Sequence, residues 1–196
     1  MNIDHTRLLS EDALSKLYEY ACSHNDEGDI LTRFYKLLRK ASDPFSPQRT
    51  GGHITASAVV VADVSAAVLM VYHSKLARWL QPGGHVEVHV DKSITHAAAR
   101  ECLEETGIDP LNSIAQPNLI DLDIHTIPAS ASFQCHEHFD MRIFFLVSPH
   151  VLSRDDVRWM PIDELAAAPD ESLSGFARKG KRLLTSVATH SREIPN

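Results

Sequence analysis

Three glutamates, Glu101, Glu104 and Glu105, stand at i, i+3 and i+4 in the run Arg100-Glu101-Cys102-Leu103-Glu104-Glu105-Thr106-Gly107-Ile108. At about 100° per residue they share one face of a helix. Like charges at that spacing cost about 0.2–0.5 kcal/mol per pair even when exposed. A cation among them removes that cost, and hard carboxylate oxygens suit Mg²⁺ or Mn²⁺. Arg100 precedes the first acid and can hold a carboxylate through a bidentate pair. The plain alternative is a solvated acidic face. Against it, Ile94, Ala97, Ala98, Ala99, Cys102 and Leu103 make the other faces small or apolar, as in a packed helix.

The elements that must position these acids are legible on both sides. Trp79-Leu80-Gln81-Pro82 followed by Gly83-Gly84 reads as a strand and a turn, with a further strand over 86–90. Asp91 or Ser93 caps the helix, Gly107 ends it as a C′ residue, and Pro110 prevents its continuation. Upstream, 6–42 reads as two helices broken at Asn25-Asp26-Glu27-Gly28-Asp29. The first carries an apolar stripe of Leu14, Leu17, Tyr18 and Ala21. Runs 54–62 and 66–72 are β-branched strands. Downstream, 118–127, 138–147 and 157–160 are strands, and 161–168 and 171–190 are helices. Strands, helix, strands, helix imply a mixed sheet between helices.

Size and composition bound the function. At 196 residues one structural unit is expected, with 1–45 as an N-terminal helical cap and 46–196 as the main domain. A chain that is 43% hydrophobic and 23% charged is globular. No apolar run approaches the roughly 18 residues of a membrane span, and the N-terminus lacks the apolar core of a secretory signal. Cys22, Cys102 and Cys135 are odd in number and widely spaced. They form neither a zinc pattern nor a disulfide framework, so a cytoplasmic location is expected. A net charge of −7 argues against a nucleic-acid polymer as partner. It does not exclude a small anionic substrate, because a bound cation inverts the local field.

The stretch 83–108 resembles the Nudix box, G-x5-E-x7-R-E-U-x-E-E-x-G-U, where U is a bulky aliphatic residue. Gly84 matches the leading glycine, Arg100-Glu101 the R-E, Glu104-Glu105 the E-E and Gly107-Ile108 the G-U, with Cys102 replacing one aliphatic. Gly84 and Arg100 are two residues further apart than the pattern has them. The first acid therefore falls on Asp91 or is replaced by Lys92. The extra residues are expected between Val86 and Ser93, as an outward bulge over His89 to Lys92. Gly52-His53-Ile54-Thr55-Ala56-Ser57 and Trp159-Met160-Pro161-Ile162-Asp163-Glu164-Leu165 also resemble a bacterial Nudix subgroup.

The resemblance implies an α/β/α sandwich with a mixed sheet, here carrying extra N-terminal helices. It also implies a metal-dependent hydrolase that cleaves the diphosphate of a nucleoside-diphosphate-X type of small molecule. Mg²⁺ or Mn²⁺ would be held by Glu101, Glu104, Glu105 and the Gly84 carbonyl, with Arg100 orienting the carboxylates. The general base would be Glu104, Glu105 or a later loop acid, for which Glu137 is the candidate. Glu87 is a further candidate ligand. Gly83, Gly84, His85 and Arg142 are the candidate substrate-binding residues. A homodimer is left open.

Other readings stand beside these. His85, His89, His125, His136 and His138 fall at strand ends or in loops, where they can bind a transition metal or touch phosphates. Arg142 shares a strand face with Asp140, so a structural ion pair competes with phosphate contact. Trp159 is a core residue or a base-stacking platform, and Cys102 has no neighbour that would activate it. The alternative function is a catalytically silent Nudix-fold nucleotide-binding sensor. An isoprenoid diphosphate isomerase shares the fold but needs a placed cysteine that is not evident here. The stretch 129–137 and the N-terminal helices are where substrate choice would lie.

Overall fold

Ten consecutive buried residues form the strand around which the sheet is laid. β1, His53–Ala62, is covered on both faces along its whole length. Its hydrophobic, β-branched sequence is that of a central strand with helices on either side. In the computed structural model, which describes residues 4–129, 134–149 and 151–190, seven strands make one mixed sheet.

The chain opens with α1, His5–Ala21, and α2, Gly28–Lys40. After β1 come β2, Ala67–His73, β3, Arg78–Leu80, and β4, Gly83–His85. The box helix α3, Ile94–Thr106, leads to β5, Asn118–Ile127, and β6, His136–Val147. β7, Val157–Pro161, α4, Ile162–Ala166, and α5, Glu171–His190, complete the chain. The sheet order is β3-β2-β1-β6-β5, with β4 paired to β1 and β7 paired to β2. β1 and β6 run parallel over ten residue pairs, from His53 opposite His138 to Ala62 opposite Val147; the other pairings are antiparallel.

The period of two along β1 divides the molecule. Ile54, Ala56, Ala58 and Val60 face a core built with α1, α2 and α3. Val59 and Val61 face a second core with α4 and α5. The N-terminal helices thus share one core with the box helix. α1 buries Leu9, Ala13, Leu17 and Tyr20, a stripe rotated from the expected one, and Tyr18 is exposed. The Tyr20 hydroxyl donates to Glu27 at 2.6 Å, which turns that residue inward. α1 also acts on the box helix directly: Asp12 accepts the Ile94 N–H at 2.7 Å, one of the unpaired donors of the first turn. Among the described residues no helix is long and apolar enough to cross a membrane.

The Gly-Gly pair differs from expectation. It is a strand, not a turn, and 86–90 is not a strand. Ser57 lies opposite Gly83, Ala56 opposite Gly84 and Thr55 opposite His85. A Cβ on Gly83 would sit 2.3 Å from Ser57 Oγ and 2.6 Å from Ser57 Cα, so the two backbones approach only because the side chain is missing. Gly83→Ala should therefore destabilise the fold by about 1–3 kcal/mol, the usual range for overpacking. An unchanged urea midpoint would show that β4 is not pressed against β1.

Candidate metal and diphosphate site

Ser93 caps the box helix by accepting the His96 N–H, and Gly107, at φ 78°, closes it with its N–H on the Leu103 carbonyl. Ile94, Ala97, Ala98, Ala99 and Cys102 are buried, while Leu103 is exposed beside the acids, against expectation. The Cys102 thiol is pushed up to about 12 by burial, a packing residue and no nucleophile.

Arg100 joins loop, helix and strand. Its Nε and Nη2 donate to the two oxygens of Asp91 at 3.1 and 3.0 Å. Nη1 donates to Glu101 at 2.9 Å and reaches Glu104 at 3.4 Å, and Nη2 also donates to the His85 carbonyl at 2.8 Å. Asp91 is buried and also contacts His96 Nδ1 and the Glu87 N–H. Burial alone would raise its pKa, but the bonds from Arg100, the Glu87 N–H and His96 outweigh that and lower it. The first box acid is therefore Asp91. It lies one residue later than the pattern has it, with one extra residue on each side of it. The expected outward bulge holds for His89, Val90 and Lys92, which are exposed, but Asp91 turns inward to Arg100.

The three glutamates take three environments. Glu101 is half-buried with its carboxylate against Gly84, where an added Cβ would lie 2.7 Å from Oε2. Glu105 accepts the Gly83 N–H at 3.0 Å. Glu104 is exposed. Burial raises the carboxyls of Glu101 and Glu105; Arg100 opposes this at Glu101 and the Gly83 N–H opposes it at Glu105. Two acids held half-buried beside a third, with Arg100 bonded to Glu101 and Glu104 but not to Glu105, fit a divalent oxygen-seeking cation. Glu105 and Gly83 line a cleft of about 260 Å³ with Tyr72, His73, Lys75 and Gln81. A cavity of about 370 Å³ lies elsewhere, between α1, β5 and α5.

Two expected residues are not part of this group. Arg142 is fully buried, and its guanidinium is taken up by Asp121 at 2.9 Å, Asp123 at 3.0 Å, Asp140 at 3.2 Å and Ser172. It has no face left for phosphate, and the structural ion pair is the correct reading. Glu137 pairs with Arg33 of α2 at 2.6 Å. In the β1–β6 register it lies four residues along from Met141, which is level with Ala56 and Gly84. At about 3.3 Å per residue that is an offset of roughly 13 Å along the strands from the level of Gly84. Glu87 points its exposed side chain toward Arg100 at 3.9 Å. Trp159 packs against the core. Of the stretch 129–137, residues 130–133 lie outside the described residues.

The substrate-binding candidate His85 divides the site. Its carbonyl serves Arg100, while its position opposite Thr55 turns the side chain to the other sheet face. There it meets His53 and His138, with ring centroids 5.0 and 5.5 Å away. His53 was not singled out from the sequence. The signal was present, because His53, Thr55 and Ser57 alternate with Ile54, Ala56 and Ala58 along β1. Burial lowers His53 to about 4, and the charges of His85 and His136 add to this. Burial and the charges of His53, His125, His85 and His136 lower His138 to about 3.

A NUDIX domain profile matches residues 52–179 of the chain. Phosphatase NudJ of Escherichia coli strain K12 is 31% identical over 125 residues, covering 59% of this chain and 72% of NudJ. Among solved structures, Shewanella oneidensis NrtR aligns with a TM-score of 0.50 and 20% identity, over 68% of this chain and 63% of NrtR. The E. coli dihydroneopterin triphosphate pyrophosphohydrolase aligns with a TM-score of 0.51 and 14% identity, over 70% and 99% of the two chains. These structural likenesses are of fold.

Two expected outcomes follow from the electrostatics. Asp91→Ala removes the bidentate partner of Arg100, which keeps Glu101 and the His85 carbonyl, and should cost about 1.5–3 kcal/mol; a urea-denaturation loss below about 1 kcal/mol would contradict the clamp. The second concerns pH in EDTA. Unfolded histidines titrate near 6.5, whereas His53 and His138 stay neutral in the fold to about 4 and 3. Between those values the unfolded chain binds protons that the fold refuses. Their stabilisation is complete above pH 6.5 and lost as pH falls through 4, at up to about 1.4 kcal/mol per unit for each imidazole. The raised Glu101 and Glu105 act with opposite sign, so the measurement is the difference between wild type and His138→Gln. The wild type should lose stability more steeply from pH 6.5 to 4.5, and parallel curves would refute the assignment.

Proposed function

The chain belongs to the Nudix family, and we propose that it is a Mg²⁺- or Mn²⁺-dependent hydrolase cleaving the diphosphate bond of a nucleoside-diphosphate-X type of substrate. The observation that carries this is the box face itself: Glu101, Glu104 and Glu105 beside Arg100, with Glu105 opening into a cleft. A relative named as a phosphatase supports hydrolysis at phosphorus.

Glu101, Glu104, Glu105 and the Gly84 carbonyl would hold the cation. When bound, the cation neutralises phosphate charge and lowers the pKa of a coordinated water. The residues do the rest. Arg100 fixes Glu101 and spans to Glu104, so the acids are oriented before substrate arrives. Gly84 leaves the space that the Glu101 carboxylate fills. The Gly83 N–H pins one Glu105 oxygen, and Glu105 lines the cleft. We assign Glu105 as the base that takes the proton of the attacking water, while a P–O bond forms from that water and the bridging P–O bond breaks. Arg154, whose positive charge acts on Glu105, and Lys75 at the cleft wall supply cations for the anionic substrate. The alternative, a silent nucleotide sensor, has no observation of its own. The likeness to NrtR is one of fold at 20% identity, and all three box glutamates are present.

The test is a panel of ADP-ribose, dinucleoside polyphosphates, nucleotide sugars, NADH, CoA and nucleoside triphosphates with Mg²⁺ or Mn²⁺, read by product identity. Glu104→Gln and Glu105→Gln should each lower kcat by at least about 10²-fold, as when one well-placed electrostatic contact is lost. Melting in EDTA should stay level or rise. Near-wild-type turnover in both variants would sink the mechanism, and tight nucleotide binding without turnover in the wild type would favour the sensor.

A further inference from the structure

On the α5 face of the sheet, behind the strand that carries Gly83 and Gly84, lies a group of imidazoles that the diphosphate chemistry does not use. The β1–β6 pairing sets His53 beside His138, and the alternation of β6 brings His136 to the same face. The ring of His53 is 4.7 Å from that of His138 and 5.2 Å from that of His136. One nitrogen from each of the three can be chosen so that all lie within 4.8 Å of one another. We propose that His53, His136 and His138 form a second metal site, for a divalent transition cation of the Zn²⁺ class, separate from the box acids.

Three observations carry this. First, His53 is completely buried, and neither Nδ1 nor Nε2 has a hydrogen-bond partner among the described residues. A buried polar ring with no partner costs about 1–3 kcal/mol, and an apolar side chain would fill the place without that cost. A cation would supply a partner for one of the two nitrogens.

Second, the spacing is that of a coordination shell. His136 Nε2 lies 3.3 Å from His138 Nε2. Two nitrogens about 2.0–2.1 Å from one tetrahedral zinc are about 3.3–3.4 Å apart. Third, His136 is held from behind as metal-bound histidines are. His136 Nδ1 lies 2.8 Å from the Gln134 carbonyl, so that nitrogen donates and Nε2 is the nitrogen turned to His138. His125, whose ring is 5.4 Å from His138, is tied at Nδ1 to Asp123 at 3.0 Å. Three neutral imidazoles would leave one position of a tetrahedron for a further ligand, and the exposed His85 lies beside the group. An all-imidazole set suits Zn²⁺, Co²⁺, Ni²⁺ or Cu²⁺ over Mg²⁺, which prefers oxygen.

The two sites sit back to back on β4. Gly84 turns to Glu101 on one face, and His85 turns to the histidines on the other.

The test uses the full chain, stripped with EDTA, dialysed, and supplied with millimolar Mg²⁺ to occupy the box acids. Co²⁺ is then titrated and followed by its visible absorption, with Zn²⁺ as competitor. One equivalent of Co²⁺ should bind with a band of tetrahedral intensity and be displaced by Zn²⁺. His136→Gln and His138→Gln should each weaken binding by at least about 100-fold, and Glu104→Gln and Glu105→Gln should leave the band in place. His53→Asn should abolish it; if that variant does not fold, the two β6 variants decide the matter. No band in the wild type, a band that survives His138→Gln, or a band lost in Glu105→Gln would each overturn the site. Because the readout is spectroscopic, absence of diphosphate hydrolysis would leave the result standing.

Discussion

The bidentate pair between Arg100 and Asp91 is the constraint on which the box depends. Glu101, Glu104 and Glu105 crowd one helix face, and the same guanidinium that grips Asp91 also reaches Glu101 and Glu104. A lysine could not replace it, because only a planar fork serves the two Asp91 oxygens, a neighbouring carboxylate and the His85 carbonyl together. The clamp draws the loop after β4 back onto the helix. The loop can therefore carry two additional residues without moving the acids: the excess is spent on exposed His89, Val90 and Lys92, while Asp91 still arrives at Arg100. Asp12 of α1, holding the first free N–H of the helix, secures the same element from the other side.

A second buried arginine shows the same physics without the chemistry. Arg142 lies between Asp121, Asp123 and Asp140, and Asp140 in turn accepts from Thr55 and Ser57 of β1. Burial disfavours its charge, but the three carboxylates outweigh that and raise its pKa. Asp123 is lowered to about 2, with burial opposed by His125 and Arg142. Such a network is costly to break because removing one member strands the others in a low-dielectric interior. It fastens α5 to the sheet through Ser172, and it borders the histidine group through Asp123 and His125. This sheet face is thus polar toward the β1 and β6 starts and apolar toward their ends, where Val59, Val61, Phe144 and Leu146 pack on α4 and α5.

The local features of this protein were legible in the chain. The acids at i, i+3 and i+4, the left-handed Gly107, the breaks between elements and the mixed α/β order all follow from periodicity and residue conformational preference, which act within a few residues. The box resemblance gave the family from that same short run. Contacts between distant segments were not legible in this way. Gly83 and Gly84 look like a turn until β1 is laid beside them, because close approach is a property of two backbones. Arg142 reads equally as a phosphate contact or an ion-pair member until β5 and α5 close over it. Asp91, equally plausible as a cap, became the partner of Arg100 only when the loop folded back. His53 reads as the first residue of a strand; only the parallel register with β6, set by apolar burial along ten residue pairs, delivers His136 and His138 to it from more than 80 positions away. Side-chain type and spacing determined which chemistry the helix can do, and the pairing of remote strands decided which other residues share its surroundings.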